Sequence, residues 1–312
     1  MPRLLFIGCL ATGLSLSAYD KVPTASGLVQ TTITVEARHD HEKDVPSLQK
    51  GDVVAYERHE RLQVTDLVRL QGGNAGLELF FLLDDASSMT LGSQLGDVRN
   101  FIEARPPQTL VGIAYLRNGT AQILRDLTTN HSDAAKALRL PLSSGGVMAS
   151  PYLALSDLIQ RWPATSNRRE VVLVTSGTDP LGGLGPTNPY LDSAIEDAQR
   201  HGIVVYAIYM PAAGHFGHSF WSMNWAQSHL AQIAEETGGE AYMLGFGPLV
   251  SFAPYLDEIG VRLDHQYRVT LLMTPEHKGG FRNVRFVTEV PNAELVSAHK
   301  VYVPARDEKS KR

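Results

Sequence analysis

Apolar and polar positions change rhythm three times along this chain. Residues 31–36, Thr-Thr-Ile-Thr-Val-Glu, alternate and are rich in β-branched side chains, the pattern of a half-buried strand, and Val53 to Tyr56 and Leu62 to Val68 repeat it between polar turns. These predict a small antiparallel β module over 28–72. After the linker Gln71-Gly72-Gly73-Asn74-Ala75-Gly76 the run Leu77-Glu78-Leu79-Phe80-Phe81-Leu82-Leu83 is almost unbroken, which marks a strand buried on both faces of a parallel sheet. Further apolar strands are expected at 110–116, 171–175, 203–210 and 241–244, with 120–127 as a hairpin partner through Asn118-Gly119. Helical periodicity fills the gaps near 93–104, 131–139, 150–162, 189–201, 224–237 and 249–264. The fourth is framed by Asn188 as N-cap, Pro189 at its first turn and Gly202 after its last. After Asp264 alternation returns in three segments, 265–273, 281–290 and 295–303.

Strands alternating with helices imply right-handed crossovers. The expected fold class is therefore α/β: a doubly wound, mostly parallel sheet over 75–264, with flanking antiparallel β segments from both termini. The C-terminal strands, 265–304, are available to pack with the N-terminal module.

Composition narrows the picture. The 312 residues are 43% apolar and 20% charged, with a net charge of −5, so nucleic-acid binding by bulk electrostatics is not expected. The basic end, Lys309-Ser310-Lys311-Arg312, reads as a solvated tail over 305–312. Met-Pro-Arg, the apolar stretch Leu4 to Leu16 and the small residues Ser15, Ser17 and Ala18 read as a signal peptide over 1–18, and hence an exported protein: periplasmic, cell-surface or secreted. The single cysteine, Cys9, lies inside that segment, so disulfides are not expected in the mature chain. Gly8-Cys9 also admits lipidation at the thiol. No segment is apolar for long enough to span a membrane.

In an open α/β sheet, ligands bind beyond the carboxyl ends of the strands. Three polar segments are expected there: Asp84-Asp85-Ala86-Ser87-Ser88, Ser143-Ser144-Gly145-Gly146-Val147-Met148-Ala149-Ser150, and Thr175-Ser176-Gly177-Thr178-Asp179. Taken with Arg169 to Asp179, His201-Gly202-Ile203-Val204-Val205-Tyr206-Ala207-Ile208 and Leu230 to Gly239, their order and spacing resemble the von Willebrand factor A (VWA) family, and in particular its bacterial exported subgroup. The resemblance implies a divalent-ion site, usually magnesium, built from an Asp-x-Ser-x-Ser loop, a threonine of a second loop and an aspartate of a third. Asp84 and Ser88 match the first loop, but Ala86 replaces its middle serine. Ser150 is the nearest hydroxyl for the second loop. Ser176 stands where the aspartate is expected, with Asp179 three residues on. A hard cation wants about six oxygens, so Asp84, Ser88, Ser150 and Asp179 form a degenerate metal site. The resemblance then implies non-catalytic protein interaction or adhesion with no cofactor required, and magnesium-dependent ligand binding is the alternative. Asp84 and Ser88 are expected to persist as turn and capping residues.

Partner contact is assigned to Asp85, Ser87, Ser176, Phe216, Phe220 and Trp221. Trp225 lies in the same stretch, and covering the core is the competing role for these aromatics. His215, His218 and His229 have ligand chemistry and define a third alternative, a metalloenzyme or hydrolase, although they lack a helix-borne His-Glu-x-x-His. His39-Asp40-His41-Glu42 and Asp44 read as a solvated turn. Leu181-Gly182-Gly183-Leu184-Gly185-Pro186 matches no nucleotide-binding loop, and no Gly-x-Ser-x-Gly elbow is present. No enzymatic activity is expected.

Overall fold

A computed structural model describes residues 27–38, 45–142, 149–213, 219–243, 245–275 and 277–305. Two sheets organise these residues. The α/β body is built on a six-stranded sheet formed by β4 (Leu77–Asp84), β5 (Leu110–Arg117), β6 (Thr120–Thr128), β7 (Arg168–Thr175), β8 (Ile203–Tyr209) and β9 (Ala241–Tyr242). Its spatial order is β6-β5-β4-β7-β8-β9, and only the β6 edge is antiparallel. That is the doubly wound order, in which the chain starts in the middle, winds to one edge, then returns and winds to the other.

The continuous apolar runs explain why these strands are central. Alternate residues of β4 feed opposite faces: Leu77, Leu79, Phe81 and Leu83 pack with α1 (Leu95–Glu103), α2 (His131–Lys136) and α6 (Ala253–Asp264). Phe80 and Leu82 pack with α3 (Pro151–Arg161), α4 (Pro189–His201) and α5 (Phe220–Thr237). The caps of α4 are as expected: Asn188 Oδ1 accepts from the Tyr190 and Leu191 amides, and Gly202 closes the helix in the left-handed region at φ 61°. α5 begins at Phe220, four residues before its expected start, because the Ser219 hydroxyl accepts from the Ser222 amide and caps it there.

The second sheet is wholly antiparallel and draws on both ends of the chain. β1 (Leu28–Ala37), β2 (Val54–Glu57) and β3 (Glu60–Arg69) join β10 (Gln266–Leu272), β11 (Gly280–Val287), β12 (Ala293–Ser297) and β13 (Lys300–Val303) in the order β12-β1-β10-β3-β2-β11-β13. The strands of 28–72 do not pair among themselves alone: β10 lies between β1 and β3. The third expected C-terminal strand is two. At Ala298-His299 the chain leaves β1, where β12 is paired, and crosses to β11, where β13 is paired. Val29, Ile33, Val35, Val269, Leu271 and Phe286 fill the interior of this curled sheet. Arg262 of α6 ties it to the α/β body through ion pairs to Glu36, Glu240 and Glu258.

No helix among the described residues is long and apolar enough to cross a membrane. The expected signal segment 1–18, the turn 39–44 and the tail from 306 lie outside the described residues.

Candidate functional site

The strand order reverses between β4 and β7, and the crevice above them is the place where an open α/β sheet receives a ligand. Asp84 and Thr175 end those two strands, and they are bound to each other: Thr175 Oγ1 donates to Asp84 Oδ2 at 2.7 Å. Asp84 Oδ1 accepts the Ala86 amide at 2.8 Å. Asp84 is fully buried, and that burial pushes its carboxyl up to about 6; the bonds from Thr175 and Ala86 oppose the rise, and neighbouring Asp85 adds to it. The carboxylate matched to the first metal-site position therefore spends both oxygens inside the protein as a clasp between two strands.

Asp85 turns the other way. It is fully buried and takes a two-pronged bond from Arg139, whose Nη1 and Nη2 lie 2.6 Å and 2.8 Å from its two oxygens; the Leu142 amide adds a third bond at 3.2 Å. Arg139 also stacks on the Tyr115 ring at 4.0 Å, and the Arg139 amide donates to the Tyr115 hydroxyl. One ion pair thus holds the approach to α3 against the first loop. Asp85, assigned above to partner contact, is sequestered by it.

Ser87 is buried, within a bridge to Ala212 that joins the first loop to the segment after β8. Ser88 caps the short turn Met89–Ser93, accepting from the Thr90 amide. Ser150 is buried at the start of α3, and its hydroxyl has no hydrogen-bond partner among the described residues. Ser176 is 3% exposed and accepts from the Thr178 amide. Asp179, 1% exposed, serves its own glycine-rich loop: Oδ1 accepts from the Leu181 and Gly182 amides, and Oδ2 from Asn188 Nδ2 at 3.1 Å. That loop is thereby fastened to the cap of α4.

This donor set does not fit magnesium. Ala86 supplies no oxygen, Asp84 and Asp179 are spent on internal hydrogen bonds, and Asp85 faces a guanidinium. Among the described residues no three His, Cys, Asp or Glu side chains are placed to share an ion. The Gly-Gly segment 143–148 lies outside the described residues, as do His215, Phe216 and His218. His229, the third histidine of the alternative zinc set, is a buried residue of α5 packed edge-on against Tyr152, with Nε2 3.3 Å from the Pro186 carbonyl.

The exposed apolar side chains form a pattern that sequence reading missed. Of the eleven large apolar residues exposed among the described residues, eight sit on loops at this edge of the sheet. Met89 follows β4, Leu140 and Leu142 precede α3, Leu181 and Leu184 follow β7, Phe220 and Trp221 open α5, and Val250 follows β9. Trp221 is 71% exposed; Phe220 contacts both its ring and that of Phe246 edge-on. Trp225 is half-buried. The stretches 84–94, 137–150, 175–188, 210–219 and 243–252 contain only four charged side chains, Asp84, Asp85, Arg139 and Asp179, and each is engaged as described above. Beyond these stretches, exposed charge nearby stands on Arg117 of the β5–β6 hairpin and on Asp192 in the first turn of α4. The result is a crown of apolar loop tips without an exposed unpaired acid. Its sequence signal, visible in retrospect, is the scarcity of charge in the five loops that follow or approach the carboxyl ends of the strands.

The doubly wound order, the antiparallel edge and the loop constellation over the switch point define a VWA-like α/β domain. No protein-family model and no curated protein matches the chain. Among solved structures, it is similar to an aerotolerance-related membrane protein from Bacteroides fragilis with multiple mutations to serines (14% identity, 61% of this chain and 99% of that one, TM-score 0.44). It is also similar to the ArnB paralog VWA2 from Sulfolobus acidocaldarius (8%, 91% and 78%, 0.39) and to the SpRpn10 VWA domain (13%, 58% and 94%, 0.39).

Proposed function

We propose that the protein is an exported, non-catalytic interaction module that engages a protein partner through the apolar crown at the carboxyl edge of its α/β sheet, without a divalent ion. The crown carries the reading. Protein interfaces concentrate aromatic residues and methionine and are depleted of charge at their centre, and the loops bearing Met89, Phe220 and Trp221 combine those traits. A lipid surface is the less favoured occupant, because apolar anchors for membranes are normally accompanied by several lysines and arginines, and the one cation of these loops, Arg139, is paired with Asp85. In a VWA-like fold the metal normally supplies the central bond to the partner; here Asp84 clasps Thr175 and Asp85 holds Arg139, so apolar burial replaces it.

The test is a pull-down from the native cell envelope with the purified protein, with and without chelator, comparing wild type with Trp221→Asp and Leu184→Asp. A specific protein captured equally in chelator, and lost with either substitution, is the expected result. Capture that requires magnesium, or that survives both substitutions, would overturn the reading.

A further inference from the structure

Away from the crown, a cavity of about 160 Å³ lies where the curled sheet meets the α/β body. It opens because the strand that closes the sheet is kinked. β12 pairs with β1 only from Ile33 to Ala37, then the chain departs at Ala298 to join β11 as β13, so Leu28 to Thr32 are paired on the β10 side alone. The wedge between Thr31-Thr32 of β1 and Lys300 to Tyr302 is floored by the last turn of α4.

The chemistry of the wedge is one-sided. Arg200, His201 and Lys300 line it, and no carboxylate does, in a chain whose net charge is −5. Arg200 is held in place by stacking, its guanidinium carbon 4.4 Å from the Tyr302 ring centre and 5.0 Å from that of Phe281. Such stacking leaves the edge of the guanidinium, where its N–H donors lie, open to a carboxylate. His201 is oriented by a 2.8 Å bond between Nδ1 and the Asp197 carbonyl.

Gln199 supplies an independent observation. It is 5% exposed and lines the same cavity; its Nε2 donates to the Glu236 carbonyl at 2.8 Å, which fixes the amide orientation, and its Oε1 has no hydrogen-bond partner among the described residues. A buried acceptor left unmatched is destabilising, and a ligand bearing a donor would remove that cost.

We propose that this wedge binds a small organic acid that carries, besides its carboxylate, a neutral N–H or O–H group: the carboxylate meets Arg200 and Lys300, and the donor meets Gln199 Oε1. N-acyl amino acids, including the free end of a peptide, and hydroxy acids share that chemistry. Phosphate fits less well, because its oxygens at neutral pH are mainly acceptors and would face the Gln199 acceptor. The cavity has room for several waters' worth of volume, which suits a small acid.

Calorimetric titration of the full chain at low salt with N-acetylglycine, lactate, acetate and phosphate tests the site and separates the sources. Saturable binding of N-acetylglycine or lactate, tighter than acetate, is expected, and whichever binds more tightly names the source. Arg200→Gln and Lys300→Gln each weaken that binding about tenfold, the loss of one charge-assisted bond, and Gln199→Met erases the preference over acetate. Circular dichroism checks each fold, and Lys300→Gln, on a strand edge, keeps the test open should a helix variant misfold. Absence of saturable binding by either acid, unchanged affinity in Lys300→Gln, or tighter binding of phosphate than of both acids would sink the proposal.

Discussion

Removing Arg139 should cost the protein more than any other single change at the carboxyl edge. Its two guanidinium nitrogens are 2.6 Å and 2.8 Å from the oxygens of Asp85, whose side chain has no solvent exposure, while Arg139 itself is 33% exposed. Breaking a buried pair from one side costs about 3–5 kcal/mol, because the remaining charge has neither water nor a partner. Arg139 is open enough for water to enter where it stood, which places Arg139→Met at the low end, about 3 kcal/mol. At roughly 2–4 °C per kcal/mol for a domain of this class, melting falls by about 6–12 °C. Urea unfolding followed by tryptophan fluorescence measures the loss. Adding Asp85→Asn removes the orphaned charge while keeping an acceptor for the Leu142 amide, so the double variant should recover more than half of it. A loss below about 1 kcal/mol, or a double variant no more stable than the single one, would refute the account of the pair as an internal lock.

Glu170 of β7 is fully buried, and burial lifts its carboxyl from 4.5 to about 7 against the opposing pull of Arg168, Gln266 and Tyr206. A raised acid stabilises the fold fully below 4.5, and that contribution is lost as pH climbs through 7. The difference of about 2.5 units corresponds to about 3 kcal/mol, so Glu170→Gln should flatten the stability profile between pH 5 and 8, and an unchanged slope would contradict it. A methyl group at Gly239 would run into the Val205 carbonyl of the adjoining strand, where backbone cannot yield; Gly239→Ala should destabilise by about 1–3 kcal/mol in urea unfolding. Trp221→Asp, on an exposed tip, should leave stability within about 0.5 kcal/mol of wild type while abolishing partner capture.

The central strands were readable because burial on both faces writes an unbroken apolar run, as in Leu77 to Leu83, and α4 was readable because its caps are local. The split of the last strand at Ala298-His299 was not, since both halves alternate alike and the break is set by two distant partners, β1 and β11. Asp84 and Ser88 could be expected to act as turn and cap residues from their place after a buried strand. Arg139 as the partner of Asp85 could not be seen, because the pair closes across 54 positions of chain. Of the crown, Phe220 and Trp221 were legible as contact residues, but the rest was not, for a related reason: single leucines in separate loops mean little until the sheet gathers those loops at one end.

β1 is the first strand of the described chain to be made, and its two neighbours, β10 and β12, are among the last. Until they arrive, β1 has open hydrogen-bonding edges and no sheet to join, while the whole α/β body can complete itself in between. Closing so distant a pairing is slow by nature. The curled sheet therefore acts as a seal set only after the α/β body has been made: a chain truncated anywhere before β12 leaves β1 with an unpaired edge, an open template for aggregation and an accessible site for proteolysis.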